Sequence, residues 1–257
     1  MNSSEGSDRD NRSAPLFSLI IPAYNEQNYL PLLLDTVETA WTAYQGRIDA
    51  IEIIVVDNGS TDKTEEIAKA RGCRVIHEEK RVIGAVRNTG AAAAEGAILA
   101  FVDADSRIHP NTFNAIEQAM SNQKNIAGAT GVHMERMSLG IALTYMIMVP
   151  MVWVTGMDTG VVFCRKEDFI AIHGYNEQRL FAEDVDFLWR MRCLGRSRGQ
   201  KLTRTTSVKT IASTRKFDEY GDWHYFSLIA HALQVWLFSS QRAEEFAKKY
   251  WYGNKRR

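Results

Sequence analysis

The sequence contains few cysteines and no closely spaced pair of them. Its three cysteines, Cys73, Cys164 and Cys193, lie far apart in a chain of 257 residues. A disulfide framework or a zinc site needs cysteines at short, regular spacing, so neither is expected here. We therefore expect a protein of a reducing compartment, either cytoplasmic or at the inner face of a membrane.

The sequence also lacks a surplus of positive charge. Lys+Arg and Asp+Glu both number 31, and the formal net charge is zero. Binding to a nucleic-acid backbone depends on excess cations that release counterions. Nucleic acid is therefore not an expected partner.

The two ends of the chain differ from its centre. Residues 1–15 are polar and are predicted to be a disordered N-terminal tail, without the basic start and apolar core of a signal peptide. Residues 16–222 contain no linker-like stretch, and we interpret them as one domain. Residues 223–257 are predicted to form a C-terminal helical extension with a basic tail.

Short apolar runs alternate with helix-like periodicity in the first half of the domain. Runs at residues 16–23, 51–56 and 97–102 are nearly continuous, as expected of strands buried on both faces. Helical spacing is seen over residues 29–44 and 85–95. Two further elements are predicted between them, a helix that begins at Asp62 and a strand at 73–77. This alternation predicts an α/β fold with a mostly parallel sheet flanked by helices.

Polar clusters follow three of the predicted strands, at residues 24–26, 57–59 and 103–105. In open α/β sheets, ligands bind beyond the carboxyl ends of the strands, so the three clusters are expected to face one crevice. Asp103 and Asp105 supply hard oxygen ligands of the kind that Mg²⁺ or Mn²⁺ prefers. A plain turn would explain the same two residues.

Other charged side chains could each have either a ligand-binding or catalytic role or a purely structural one. Asp57 could bind a base or a ribose, or could simply form a turn. Arg87 lies near a helix start that suits a phosphate, although an alanine-rich helix packed on a sheet has a similar pattern. Glu183 and Asp184 begin an amphipathic helix, either as capping acids or with one of them as a general base.

The region after residue 195 is basic. Residues 196–216 contain seven Lys or Arg and no acidic residue, which suits a diphosphate or an anionic acceptor. A solvated charged face is the alternative. His224 follows, either as a third metal ligand or as a surface or packed histidine.

Two apolar segments raise the question of a membrane. Residues 137–157 have no formal charge and could span a bilayer, but Gly140 and Pro150 interrupt them, so a buried or interfacial segment is favoured. Residues 225–238 precede the basic tail and suit an anionic membrane surface. Packing on the domain, or on a second subunit in a homodimer, is the alternative.

Several segments together resemble the family-2 glycosyltransferases of GT-A fold. The similarity extends from about Phe17 to Gly195 and is carried by residues 21–26, 55–62, 85–90, 101–105 and 183–186. It implies a UDP- or GDP-linked sugar donor, a divalent ion, and an inverting transfer to an acceptor hydroxyl or phosphate, lipid-linked acceptors included. No QxxRW motif of the processive members is present, so a single transfer is expected.

The resemblance also implies roles for individual residues. Asp184 would be the catalytic base, and Asp103 and Asp105 would bind the ribose and the metal–diphosphate. Asn58 stands where many relatives have a second Asp, so Asp57 is the expected nucleotide contact. The implied nucleotide-sugar site consists of Pro22, Ala23, Tyr24, Glu26, Asp57, Arg87, Asp103, Ala104, Asp105 and Arg215.

Two other functions remain open. A sugar-nucleotide pyrophosphorylase would need a glycine-rich, basic loop after the first strand, where residues 22–26 contain no glycine. A non-catalytic scaffold that binds nucleotide sugars would not need Glu183 and Asp184. Donor hydrolysis by the purified protein would separate an enzyme from a scaffold.

Overall fold

The computed structural model describes residues 14–179 and 182–223. The predicted N-terminal tail up to residue 13, His224, the apolar segment 225–238 and the basic tail lie outside the described residues. The strands are β1 (Phe17–Ala23), β2 (Ile51–Asp57), β3 (Arg74–His77), β4 (Ile98–Phe101), β5 (Asn125–Ala129), β6 (Val132–Met134), β7 (Val162–Arg165), β8 (Lys201–Arg204) and β9 (Thr210–Ala212). The helices are α1 (Leu30–Thr42), α2 (Thr64–Ala70), α3 (Ile83–Ala93), α4 (Thr112–Ser121), α5 (Leu139–Thr155), α6 (Lys166–Ala171), α7 (Glu183–Ser197) and α8 (Arg215–Tyr220).

Seven of these strands form one sheet, in the order β3-β2-β1-β4-β7-β5-β8. Strand β1 pairs in parallel with β2 and β4, and β5 pairs in parallel with β8. Strand β7 runs antiparallel to both of its neighbours, β4 and β5. The prediction of a mostly parallel sheet flanked by helices is confirmed.

The core lies on both sides of the central strand β1, whose seven residues are all buried. On one side, Leu19 packs in a cluster with Leu33 of α1 and Phe113 of α4. On the other side, Ile20 packs with Val86 of α3 and Phe187 of α7. Because both faces are covered, the strand needs the nearly continuous apolar sequence that predicted it.

Helix α2 begins at Thr64, so the prediction that it begins at Asp62 is wrong by two residues. The Asp62 carboxylate accepts hydrogen bonds from the backbone N–H groups of Thr64, at 2.9 Å, and Gln27, at 3.1 Å. This second bond fastens the turn before α2 to the loop after β1. Asp62 therefore belongs to the turn before the helix, and sequence spacing does not reveal its contact with Gln27.

A long connection joins β5 to β7 and carries β6 and α5. It is closed at its base by the bond from the Thr130 N–H to the Val161 carbonyl, at 3.1 Å, and by that from the Gly131 N–H to the Thr159 carbonyl, at 2.9 Å. Strand β6 forms a separate two-stranded sheet with β9. The two ends of the connection are therefore adjacent, on the neighbouring strands β5 and β7 of the main sheet.

Helix α5 accounts for most of the apolar segment 137–157. It has 17 residues and ends at Thr155, and the following Gly156 has a left-handed backbone (φ 71°). In residues 14–179 and 182–223, no helix is long and apolar enough to cross a membrane. Leu139 and Met146 are exposed on this helix, so the other described residues pack against only part of its apolar surface.

Helix α3 packs on the sheet through Gly90. A Cβ atom at this position would lie 2.5 Å from Ile20 Cγ2 and 2.8 Å from Val56 Cγ2. We expect Gly90→Ala to lower the free energy of unfolding by about 1–3 kcal/mol, because overpacking displaces core side chains. Urea denaturation would measure this. Ala92→Leu, at an exposed position of the same helix, should change stability by less than about 0.5 kcal/mol, and equal values for the two variants would contradict the packing argument.

Candidate active site

A cavity of about 670 Å³ opens at the carboxyl ends of β1, β2 and β4. Its wall contains nine of the predicted site residues: Pro22, Ala23, Tyr24, Glu26, Asp103, Ala104, Asp105, Asp184 and Arg215. Asp57 and Arg87 lie behind this wall, and His224 is outside the described residues. The polar clusters after β1 and β4 thus meet at one crevice, as strand-end geometry predicts.

The end of the cavity near β2 is formed by Tyr24, Asn58 and Arg81. The Arg81 guanidinium lies 3.8 Å from the centroid of the Tyr24 ring. The Asn58 amide donates to the Lys80 carbonyl at 3.2 Å, which ties the turn after β2 to the segment before α3. This end offers an aromatic face and a cation to a ligand.

Asp57 itself is buried and engaged locally. Its carboxylate accepts the Ser60 N–H at 3.2 Å, which is the turn interaction considered from the sequence. Ligand atoms of Asp57, Glu65 and His77 also lie within 4.8 Å of one another, close enough to share one divalent ion. Each ring nitrogen of His77 faces a different carboxylate, at 3.7 Å for Asp57 and 3.4 Å for Glu65. A single ion could use one of these nitrogens.

A second group of charges surrounds Arg215 at the start of α8. Its guanidinium donates to both carboxylate oxygens of Glu26, at 2.9 and 3.1 Å, and lies 3.2 Å from Asp105. It also stacks 4.7 Å from the centroid of the Tyr29 ring. Burial raises the pKa of Glu26 to about 6, although Arg215 opposes this shift. Arg215 therefore joins the loop after β1 to the loop after β4.

Arg87 connects the loop after β4 to helix α7. Its side chain is 4% exposed. One terminal nitrogen donates to Asp103 at 2.8 Å, and the other donates to Glu183 at 3.0 Å and to Asp184 at 2.6 Å. These carboxylates occupy the two terminal nitrogens that were expected to face a phosphate. In the folded chain, Arg87 links three carboxylates that come from two separate segments.

Asp184 faces the cavity at the beginning of α7. Burial raises the pKa of its carboxyl above the usual range for aspartate, and the charges of Glu183 and Asp103 act in the same direction. Arg87 and a hydrogen bond from Tyr175 oppose the shift. A carboxylate with a raised pKa is a stronger base, which suits proton abstraction from a substrate.

The backbone immediately before Asp184 is unusual. Ala182 has a left-handed conformation (φ 55°) and gives helix α7 no side-chain cap. A non-glycine residue in this region costs about 1–2 kcal/mol. Glu183, Asp184 and Asp186 lie in the first turn, where carboxylates interact favourably with the helix dipole.

Asp103 and Asp105 are suited to a divalent ion. The Asp103 side chain is 57% exposed and uses one oxygen for Arg87, which leaves the other available. Burial, together with the neighbouring Asp103, raises the pKa of Asp105, so a cation beside it would relieve unfavourable charge. Both offer hard oxygen ligands. Among the described residues, no third carboxylate, histidine or cysteine joins this pair closely enough to share one ion with it.

Three residues of the site were not assigned individually from the sequence. Arg81 gives no local signal beyond its charge, and Tyr175 resembles any core aromatic. Lys216 belongs to the basic segment 196–216 and lines the cavity, where burial lowers the pKa of its amine to about 8. Their proximity to the site arises from chain segments that are distant in sequence.

Comparison with known proteins identifies a family over most of the described chain. A family model described as Glycosyl transferase family 2 matches residues 18–192. The glycosyltransferase AglE of Haloferax volcanii is 40% identical over 101 residues, which are 37% of this chain and 32% of that protein. The first curated relatives are matched over only 28% to 33% of their length.

Solved structures with the same fold contain nucleotide sugars. Staphylococcus aureus TarS 1-349 in complex with UDP-GlcNAc has a TM-score of 0.58 at 20% identity, over 77% of this chain and 58% of that one. The mannosyltransferase PcManGT of Pyrobaculum calidifontis, in complex with GDP-Man and Mn²⁺, has a TM-score of 0.61 at 18% identity, over 77% and 57%. At these identities the similarity establishes the fold.

Proposed function

The chain belongs to glycosyl transferase family 2, and we propose that it transfers a single sugar from a nucleoside-diphosphate donor with inversion. The acceptor would be a hydroxyl or a phosphate. The observation that carries this proposal is the Arg87 cluster, which brings Asp103 and Asp184 to one cavity although they come from distant segments. A carboxylate pair for a metal–diphosphate and a separate base are the parts that such a transfer needs.

The donor would lie along the wall formed by the loops after β1 and β4. Tyr24 and Arg81 would contact the nucleoside, and Asp103 and Asp105 would hold a divalent ion with the diphosphate. When bound, this ion would neutralise the negative charge that develops on the leaving diphosphate. UDP and GDP sugars are the donors proposed, because similar structures contain UDP-GlcNAc and GDP-Man.

Cationic side chains would support the same leaving group. Arg215 and Lys216 line the cavity from α8, and Arg215 already lies 3.2 Å from Asp105. Fixed positive charge at the place where negative charge develops lowers the barrier to reaction. Arg215 would exchange part of its contact with Glu26 for the diphosphate.

Asp184 would take the proton from the acceptor as the acceptor attacks the anomeric carbon. Its position on the cavity wall and its raised pKa support this role. Attack on the face opposite the leaving diphosphate would invert the anomeric configuration. A non-catalytic scaffold, the alternative considered from the sequence, would not need a general base at Asp184.

Binding of the donor can be tested before its sugar is known. We expect UDP or GDP with Mn²⁺ to stabilise the folded chain, by about 2.7 kcal/mol at a ligand concentration of 100 Kd. Thermal unfolding monitored by fluorescence would measure the rise in Tm. The matched nucleoside monophosphate, and the diphosphate in EDTA, are the controls. Equal stabilisation in all three cases would contradict a metal–diphosphate site.

A further inference from the structure

The geometry points to Tyr175 as a positioning residue that fixes one oxygen of Asp184 and leaves the other oxygen to the acceptor. This inference rests on the proposed role of Asp184 as the base. Tyr175 precedes α7 by eight residues, and its hydroxyl donates to Asp184 Oδ1 at 3.1 Å. The residue thus touches the base without lining the cavity.

The Tyr175 ring cannot reorient, because aromatic neighbours enclose it. The side chain is 2% exposed. Its ring stacks on Phe187 with a centroid distance of 4.4 Å and meets Phe101 edge-on at 5.2 Å. Phe187 lies on α7 one turn after Asp184, so the ring and the carboxylate are held by the same helix. The direction of the hydroxyl is therefore set by packing.

The backbone of Tyr175 is held as firmly as its ring. The Asn88 side chain accepts the Tyr175 N–H at 2.8 Å and donates to the Tyr175 carbonyl at 3.0 Å. Asn88 is next to Arg87 in α3, and Arg87 binds Asp184. Adjacent residues of one helix thus anchor both the base and the tyrosine that contacts it.

The two donors reach the same oxygen of the base. Asp184 Oδ1 accepts from Arg87 at 2.6 Å and from Tyr175 at 3.1 Å. Within residues 14–179 and 182–223, no hydrogen bond reaches Oδ2. A carboxylate that is fixed by two bonds at one oxygen cannot rotate freely, and Asp184 lines the cavity. Oδ2 is therefore the oxygen available for the acceptor proton.

The tyrosine hydroxyl also affects the charge of the base. A hydrogen bond to a carboxylate favours its ionised form, and this bond lowers the pKa of Asp184. Burial keeps the pKa of Tyr175 above its usual value, so the hydroxyl stays protonated and can donate. The other charged groups that face the base are Arg87 from α3, Asp103 from the loop after β4 and Glu183 from α7. The amine of Lys216 in α8 interacts electrostatically with the carboxylates of Asp105, Asp103 and Glu183.

The test is Tyr175→Phe, which keeps the ring and removes the hydroxyl. Release of UDP or GDP from a donor sugar, with water as the acceptor, would be followed from pH 5 to 9. We expect kcat at neutral pH to fall about 10-fold or more, since a hydrogen bond to a charged group is lost. The acidic limb of the kcat profile should move to higher pH, and the KM for the donor should stay within a few-fold.

Tyr145→Phe is the matched control. The Tyr145 hydroxyl donates to the Val132 carbonyl at 2.8 Å and does not contact Asp184. Its removal should leave the acidic limb in place. A Tyr175→Phe protein whose acidic limb coincides with that of the wild type would overturn the inference, whatever its rate.

A second variant keeps the test decisive if Tyr175→Phe does not fold. Replacing Tyr175 by 3-fluorotyrosine retains the ring and makes the hydroxyl a stronger donor, so the acidic limb should move to lower pH. An unchanged limb, or a shift to higher pH, would also overturn the inference. If Asp184→Asn retains full activity, the proposed base fails; if that variant is inactive while both Tyr175 variants keep the wild-type limb, only the positioning role fails.

Discussion

Replacing Asp184 by Asn is expected to lower turnover by about 10²- to 10⁴-fold, the contribution of a well-placed general base. The amide keeps the shape of the side chain but has no basic oxygen. Arg87 would still bind Asp103 at 2.8 Å and Glu183 at 3.0 Å, so the cluster loses one of its three carboxylates. The fold and the donor wall should therefore survive.

The measurement is steady-state release of the nucleoside diphosphate together with the affinity for the donor. The loss should fall on kcat, while donor affinity stays within a few-fold of the wild type. Glu183→Gln is the matched control, because Glu183 binds the same nitrogen of Arg87. Near-normal turnover in Asp184→Asn with a large loss in Glu183→Gln would assign the base to Glu183. If both variants are fully active, the inverting mechanism is wrong.

Replacing Asp105 by Ala should weaken donor binding in Mn²⁺ by about 10²-fold or more, since the proposed metal–diphosphate contact would lose one of its two carboxylate ligands, and about 2.8 kcal/mol of binding free energy corresponds to that factor. Asp105 is half-buried beside Asp103 and lines the cavity. Its removal frees Arg215 from one contact, but the two bonds to Glu26 remain. The wall should keep its form and lose its metal ligand.

Calorimetric titration of UDP or GDP, with Mn²⁺ and with EDTA, would separate metal-dependent binding of the diphosphate from binding by the rest of the cavity wall. The wild type should lose affinity in EDTA, whereas Asp105→Ala should bind weakly under both conditions. Asp35→Ala is the control, because Asp35 is an exposed carboxylate of α1 that does not line the cavity. A variant that retains the affinity of the wild type in Mn²⁺ would remove Asp105 from the metal site.

Those parts of the site that follow strands were predictable because the signal is local. A buried apolar run followed by polar residues identifies both the strand and the position where its ligand side chains begin. For this reason Tyr24, Glu26, Asp103 and Asp105 could be placed at one crevice from the sequence. The parallel arrangement supplies the rest, because it brings the carboxyl ends of separate strands to one edge.

The environment of Arg87 could not be predicted in this way. Its partners lie 16, 96 and 97 residues further along the chain, and only the fold brings the loop after β4 and the start of α7 within hydrogen-bond distance of α3. The local pattern, an arginine near a helix start, indicated a phosphate ligand for Arg87. It could not indicate the three carboxylates that contact Arg87 in the folded chain. Tyr175 was missed for the same reason, because a loop aromatic carries no periodic signal.

The antiparallel strand β7 has a consequence for how this chain could diversify. The β5–β7 connection leaves and re-enters the main sheet at two neighbouring strands, and backbone bonds at Thr130 and Gly131 close it. Because loop-closure entropy rises slowly with length, such a connection can be lengthened, shortened or replaced at small cost to the sheet. Val132 and Thr159, near its two ends, also line the cavity. Changes in this connection would therefore alter one wall of the cavity while the strands of the main sheet stay in place.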